Sequence, residues 1–213
     1  MKTDELISLL ATGNERLPAN VATRRFAIAL AAGVLGATLI MLATIGIRAN
    51  LADDVDRPMF WVKFGFVAGL AFAALVATRR LARPGASLKR VPGLFATPLL
   101  FVWAVAVVVL FDAEPGQRLA LVYGSTWVFC PFLIAMLSVP VFIAVIWAMK
   151  GLAPIRPRLS GAAAGFLAGA TGAFVYCFHC PELDAPFLGI WYLIGMLIPT
   201  AIGALLGRRL LRW

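Results

Sequence analysis

Histidine occurs once in this sequence, cysteine three times, and charged residues make up only 14% of it. Each scarcity closes off a class of function. The single histidine, His179, excludes multi-histidine metal centres. No HExxH pair, no glycine-rich phosphate loop and no serine–histidine–aspartate set can be assembled from the other residues. A charged fraction so far below the roughly 25% of soluble domains, together with 62% hydrophobic residues, belongs to an integral membrane protein. No aspartate or glutamate lies inside any apolar run, which disfavours a proton-coupled transporter. No catalytic residue is therefore expected, and a second domain or low-complexity linker is absent as well.

What is present is apolar length. Runs of roughly 20 residues, enough to cross a hydrocarbon core of about 30 Å, recur near 26–47, 59–78, 94–111, 128–149, 159–178 and 187–207. The pattern predicts an all-α polytopic fold, a bundle of six transmembrane helices. An N-terminal segment, 1–25, precedes it, the membrane domain spans 26–207, and a basic tail, 208–213, follows. The first run follows mostly polar residues and shows no small-residue cleavage signature, so it reads as a helix that stays.

Basic residues alternate from one connection to the next. Lys2, Arg16, Arg24 and Arg25 precede the first run. Arg79, Arg80, Arg83, Lys89 and Arg90 lie between the second and third, Lys150, Arg156 and Arg158 between the fourth and fifth, and Arg208, Arg209 and Arg212 after the sixth. The other connections carry only Arg48, Arg57 and Arg118, and hold most of the acidic residues. Short cytoplasmic loops retain Lys and Arg, so both termini are expected in the cytoplasm of a bacterium, with the chain in its inner membrane. The net charge of +9 suits anionic headgroups of the lipid bilayer and requires no nucleic acid partner.

The segment MKTDELISLLATGNERLPAN is the one stretch with room for separate work. Thr3 or Asp4 can cap a short helix, Asp4 and Glu5 suit its positive end, and Gly13 or Asn14 can stop it. Leu6, Leu9 and Leu10 then share a face with Ile7 at its edge. About two turns are unstable alone in water, so the helix must lie on something, either the membrane surface or a protein. Its acidic start weakens the first choice, because membrane-surface helices usually carry Lys and Arg. Glycines four apart, at 161, 165 and 169, at 65 and 69, and at 203 and 207, predict closely packed helices. Pro140 and Pro199 predict local kinks.

The reactive residues cluster in CFHC, residues 177–180, with Cys130 at the start of the fourth run. All lie towards the predicted outer side, where thiols tend to become disulfides. Cys177, Cys180, His179 and Cys130 could ligate a soft metal ion such as zinc, which is the one cofactor the sequence admits. A CxxC pair beside histidine could equally be a redox couple. The plainer alternative is that Cys130 or Cys177 packs among helices as a small hydrophobe. Lys63 lies inside the second run. An intramembrane charge is a functional candidate by default, reaching an outer carboxylate or an ionised thiol, although its stem could instead snorkel to the surface.

Four stretches, MKTDELISLLA, FWVKFGF, CPFLIAMLSVP and FHCPE, together resemble the NrsF-like membrane anti-sigma factors, negative regulators of an extracytoplasmic-function (ECF) sigma factor. The resemblance spans nearly the whole chain. It implies that the N-terminal segment sequesters the sigma factor, with Asp4, Glu5, Leu6, Ile7, Leu9 and Leu10 as docking residues. It also implies that two outward cysteines sense oxidative or metal stress and release it, the pair being Cys130 and Cys180, with Cys177 outside the pattern. A membrane thiol-disulfide oxidoreductase is the main alternative, weakened because CFHC leaves only Cys130 where electron transfer to quinone usually needs a second pair. A small metal transporter would need a polar path that the sequence lacks. A homo-oligomer is compatible with all three.

Overall fold

The computed structural model describes residue 5 and residues 21–83, 85–150, 152, 154 and 156–212. Of the N-terminal docking residues, Asp4, Leu6, Ile7, Leu9 and Leu10 therefore lie outside the described residues. Among the described residues every regular element is a helix, and six helices are long and apolar enough to cross a membrane. These are α1 (Val21–Thr44), α3 (Pro58–Leu81), α4 (Val91–Asp112), α6 (Cys130–Lys150), α7 (Pro157–Tyr176) and α8 (Ala185–Leu210). Two short helices, α2 (Leu51–Asp54) and α5 (Arg118–Tyr123), sit in the connections at the end opposite the arginine-rich loops.

In a hydrocarbon solvent every backbone amide must be bonded within the protein, which leaves helix as the form for these runs. Proline stands in the first turn of α3, α4 and α7, where no intrahelical donor is lost. Arg79 and Arg80, Lys150, and Arg208 and Arg209 occupy the last turns of α3, α6 and α8, complementing their negative ends. The hydroxyls of Thr78, Thr171 and Thr200 bond back to the carbonyl four residues earlier, so they expose no polar atom to the core. Helix α1 begins five residues before the predicted start. Arg24 and Arg25 are good helix formers, and the Arg25 guanidinium lies 5.3 Å from the Trp147 ring centroid.

Helix α7 is the axle of the bundle. It has the lowest hydropathy of the six yet is the most buried, because its alanines and glycines let α1, α3, α6 and α8 close around it. A methyl group at Gly161 would land on the Gly203 carbonyl and one at Gly165 on the Pro199 carbonyl, so α7 and α8 approach backbone to backbone. The three prolines inside helices each face glycine on a neighbour: Pro98 faces Gly69, Pro140 faces Gly36, and Pro199 faces Gly165 and Gly169. The missing Cβ makes room for the proline ring or the backbone beside it. The prediction that Gly65 and Gly69 mark one close contact holds only for Gly69, since nothing lies within 4 Å of a Cβ placed at Gly65. Helix α4 is peripheral, packing on α3 and on the start of α8.

Candidate functional site

The sulfur end of the bundle is organised around residues 177–184, between α7 and α8. Pro181 cannot continue α7, so the helix gives way to a turn over 177–180 whose amides bond its last carbonyls, and the carbonyls of Cys180 and Glu182 are left without backbone partners. Two cations take them. Lys63, on α3 and fully buried, donates from Nζ to the Cys180 carbonyl at 2.8 Å and to the Glu182 carbonyl at 3.0 Å. Arg48, from the connection after α1, donates from Nη1 to the same Cys180 oxygen at 2.9 Å. Both lone pairs of that oxygen are thus occupied by cationic donors at the negative end of α7.

Lys63 therefore faces inward. Its partners are backbone carbonyls, where the sequence suggested a carboxylate or a thiolate, and its ammonium also lies 5.4 Å from the Tyr192 ring centroid. Arg48 is neutralised by Asp54 at 2.9 Å, which Arg57 also approaches at 3.4 Å. These are the ion pairs among the described residues, so Lys63 has no carboxylate partner there.

The rest of the segment is fastened from both sides. His179 Nδ1 lies 3.0 Å from the Gly46 carbonyl and donates to it, which fixes the tautomer, and the Arg48 amide donates to the Phe178 carbonyl at 3.3 Å. On the other flank, Glu182 Oε1 accepts from the Ser125 amide at 2.7 Å and the Ser125 hydroxyl at 2.6 Å. Gly124 makes this possible. Its φ of 56° lies in the left-handed region, and a Cβ there would stand 2.8 Å from the Glu182 carboxylate carbon.

Beneath this clamp the three cysteines are fully buried and unbridged. Cys130, the first residue of α6, lies close enough to Cys180 and Tyr176 for the three side chains to perturb one another's ionisation. Cys177 belongs to the same cluster, near Lys63 and the Tyr192 hydroxyl, which lies buried without a fully formed hydrogen bond. The hydrogen bond from Cys130 holds the Cys180 thiol below its ordinary range against the cost of burial, with help from the Lys63 charge. Burial pushes the Cys177 thiol the other way, up to about 12, with Lys63 opposing. The arrangement thus favours a nucleophilic sulfur at Cys180 and an inert one at Cys177.

The fit to a metal ion is poor. Among the described residues no three His, Cys, Asp or Glu side chains are placed to hold one ion. The sequence had not singled out Arg48, Asp54, Tyr176, Tyr192, Gly124 or Ser125. Only Arg48 carried a signal, as a cation beside an apolar run on the side poor in cations.

Fold and site together define a multi-pass membrane protein with a buried thiol cluster locked beneath two cations at one end of its bundle. The chain belongs to the NrsF family: the family model described as negative regulator of sigma F matches residues 10–213. It is 55% identical to the probable anti-sigma-F factor NrsF of Azospira oryzae and 36% identical to the anti-sigma-F factor NrsF of Caulobacter vibrioides, in both cases over 100% of each chain. No solved structure matches.

Proposed function

We propose that the protein is a regulatory, non-enzymatic anti-sigma factor of the bacterial inner membrane. It holds an ECF sigma factor on its cytoplasmic N-terminal segment and releases it when Cys130 and Cys180 are oxidised. Membership of a family described as a negative regulator of a sigma factor supports the class of activity. The observation that carries the sensing reading is the Cys130–Cys180 contact. It joins two separate elements through their only reactive groups, inside a cage that lowers the Cys180 thiol.

The chemistry is a two-electron oxidation. A hydroperoxide, ROOH, accepts the two electrons, the Cys130 thiol proton and one proton from solvent, and leaves as ROH and water, while a bond forms between the Cys180 thiolate sulfur and that of Cys130. The effect on the sigma factor requires that the oxidised state binds it less tightly than the reduced state. A soft metal bridging the same thiols is the second possible input. The lack of three ligating side chains placed around one ion among the described residues favours oxidation.

Co-purification with a co-expressed ECF sigma factor tests the reading. The wild type is expected to capture the factor and lose it on treatment with peroxide, whereas a Cys130→Ser, Cys180→Ser variant captures it and keeps it. Release by cadmium and not peroxide would transfer the signal to metal binding. Failure of both proteins to capture the factor would overturn the anti-sigma reading.

A further inference from the structure

Helix α1 connects the two halves of the sulfur contact. Along its length it packs on α6, the helix that begins with Cys130. A Cβ at Gly33 would stand 2.8 Å from the Val141 Cα, and one at Gly36 would stand 3.0 Å from the Pro140 side chain, so the two helices touch backbone to backbone near their middles. Beyond its last turn, α1 is tied to the segment carrying Cys180 by three hydrogen bonds. His179 Nδ1 donates to the Gly46 carbonyl, the Arg48 amide to the Phe178 carbonyl, and Arg48 Nη1 to the Cys180 carbonyl. Gly46, at φ 70°, closes the turn with its amide on the Met41 carbonyl, so the tie reaches the helix without a slack linker.

The geometry points to α1 as a lever that pivots where Gly33 and Gly36 meet Pro140 and Val141, with Arg48 as the positioning residue that drives it from the Cys180 carbonyl. Gly33 lies near the centre of the helix, so the two arms are about 17 Å each at 1.5 Å per residue. An S–S bond of about 2.05 Å is shorter than any non-bonded contact between two sulfurs, so oxidation draws Cys180 and the start of α6 together. The Cys180 carbonyl takes Arg48 with it. Displacement at the Arg48 end is returned, reversed and of similar size, at Val21, where the chain continues to the N-terminal segment. Packed helices transmit such shifts because their interfaces slip between discrete arrangements and do not deform continuously. Far from the thiols, Arg25 over the Trp147 ring is the contact between α1 and α6 that would report the motion.

The effect on the sigma factor rests on the function proposed above, while the motion itself does not. Two readouts on the full-length protein therefore separate them. The first is the peroxide-induced change in Trp147 emission, isolated as the difference between wild type and Trp147→Phe, and the second is sigma-factor release. Arg48→Gln is expected still to capture the factor and to form the Cys130–Cys180 disulfide, scored by loss of two alkylatable thiols. It is expected to lose the Trp147 signal and to release the factor about tenfold less readily than the oxidised wild type.

If oxidised Arg48→Gln releases the factor as the wild type does, or keeps the Trp147 change, the lever is wrong. If the wild type shows the Trp147 change and Arg48→Gln loses it, but the captured factor is not released, the lever stands and the reading of release by oxidation fails. Should Arg48→Gln fail to accumulate in membranes, Gly33→Ala is the second variant. Its methyl group separates α1 from Val141 and is expected to uncouple oxidation from both readouts, with retention of both overturning the proposal.

Discussion

Lys63 shows what a buried charge does when no carboxylate answers it. Its ammonium is held by two carbonyls and an aromatic face, so it secures a loop whose Glu182 carbonyl would otherwise lack its donor. Replacing it with methionine keeps the stem and removes the donor, leaving the Glu182 carbonyl without its lysine and the Cys180 carbonyl with Arg48 alone. A loss of about 1–3 kcal/mol is expected, seen as a fall of several degrees in the thermal midpoint in detergent. The Cys180 thiol, held below its ordinary range, stays ionised as pH falls below that of a free thiol. The stability this lends is therefore full above the ordinary thiol range and is lost as pH falls through the lowered value. Removing the donor should reverse the shift. In a Cys177→Ser background, Cys130→Ala, which has no donor, is expected to move the pH profile of Cys180 alkylation by a small reagent upward, and an unchanged profile would remove Cys130 as the cause. Sequence pattern nominated Lys63 and the cysteines because they are rare in oil. It did not nominate Tyr176 or Tyr192, because a tyrosine in an apolar helix looks the same whether it meets lipid or a thiol.

Among the elements, α7 and α8 are the contact on which the bundle depends. Leucine at Gly165 must displace the Pro199 carbonyl, a backbone atom with no rotamer to yield, and is expected to cost more than the 1–3 kcal/mol of ordinary overpacking. Alanine at Gly65, which has open space around it, is expected to be neutral or slightly stabilising through helix propensity. Comparing the melting of the two variants in detergent tests the assignment, and equal losses would contradict it. The same contrast marks the limit of reading glycine spacing. Two of the three spaced sets lie at the α7–α8 interface, whereas Gly65 and Gly69 divide between open groove and proline contact. Spacing places small residues on one helix face and does not say which helix that face meets. The short helices α2 and α5 were likewise invisible as apolar runs, since six or fewer residues carry no period.

At the scale of the molecule, six spans bring the two ends of the membrane domain to one side, and the arginine-rich connections share that side. The topology proposed above puts that side in the cytoplasm. A C-terminal fusion is expected to be fluorescent with a green fluorescent protein and inactive with a periplasm-dependent phosphatase, and active phosphatase would invert the topology and with it the compartment of the thiols. This arrangement places the sulfur cluster and the arginine end a full membrane apart. The bundle between them is tight where glycine admits backbone contact, along α7–α8 and α1–α6, and loose at α4, which is 11% buried. A signal crossing the membrane has rigid paths available and one helix that is free of them.

The sequence alone determined the membrane class, the number of spans, the segregation of charge and the short inventory of reactive groups. Each is a sum of local transfer energies that needs no knowledge of what a residue touches. Tertiary structure decided that Lys63 turns inward and that Arg48 joins it on one carbonyl. It also placed Cys130 against Cys180 and gathered Cys177 into the same cluster. These contacts join residues as far apart as Arg48 and Cys180. They exist because Pro181 ends α7 and the small residues of α7 let four helices converge there, a consequence of packing that hydropathy and spacing do not encode.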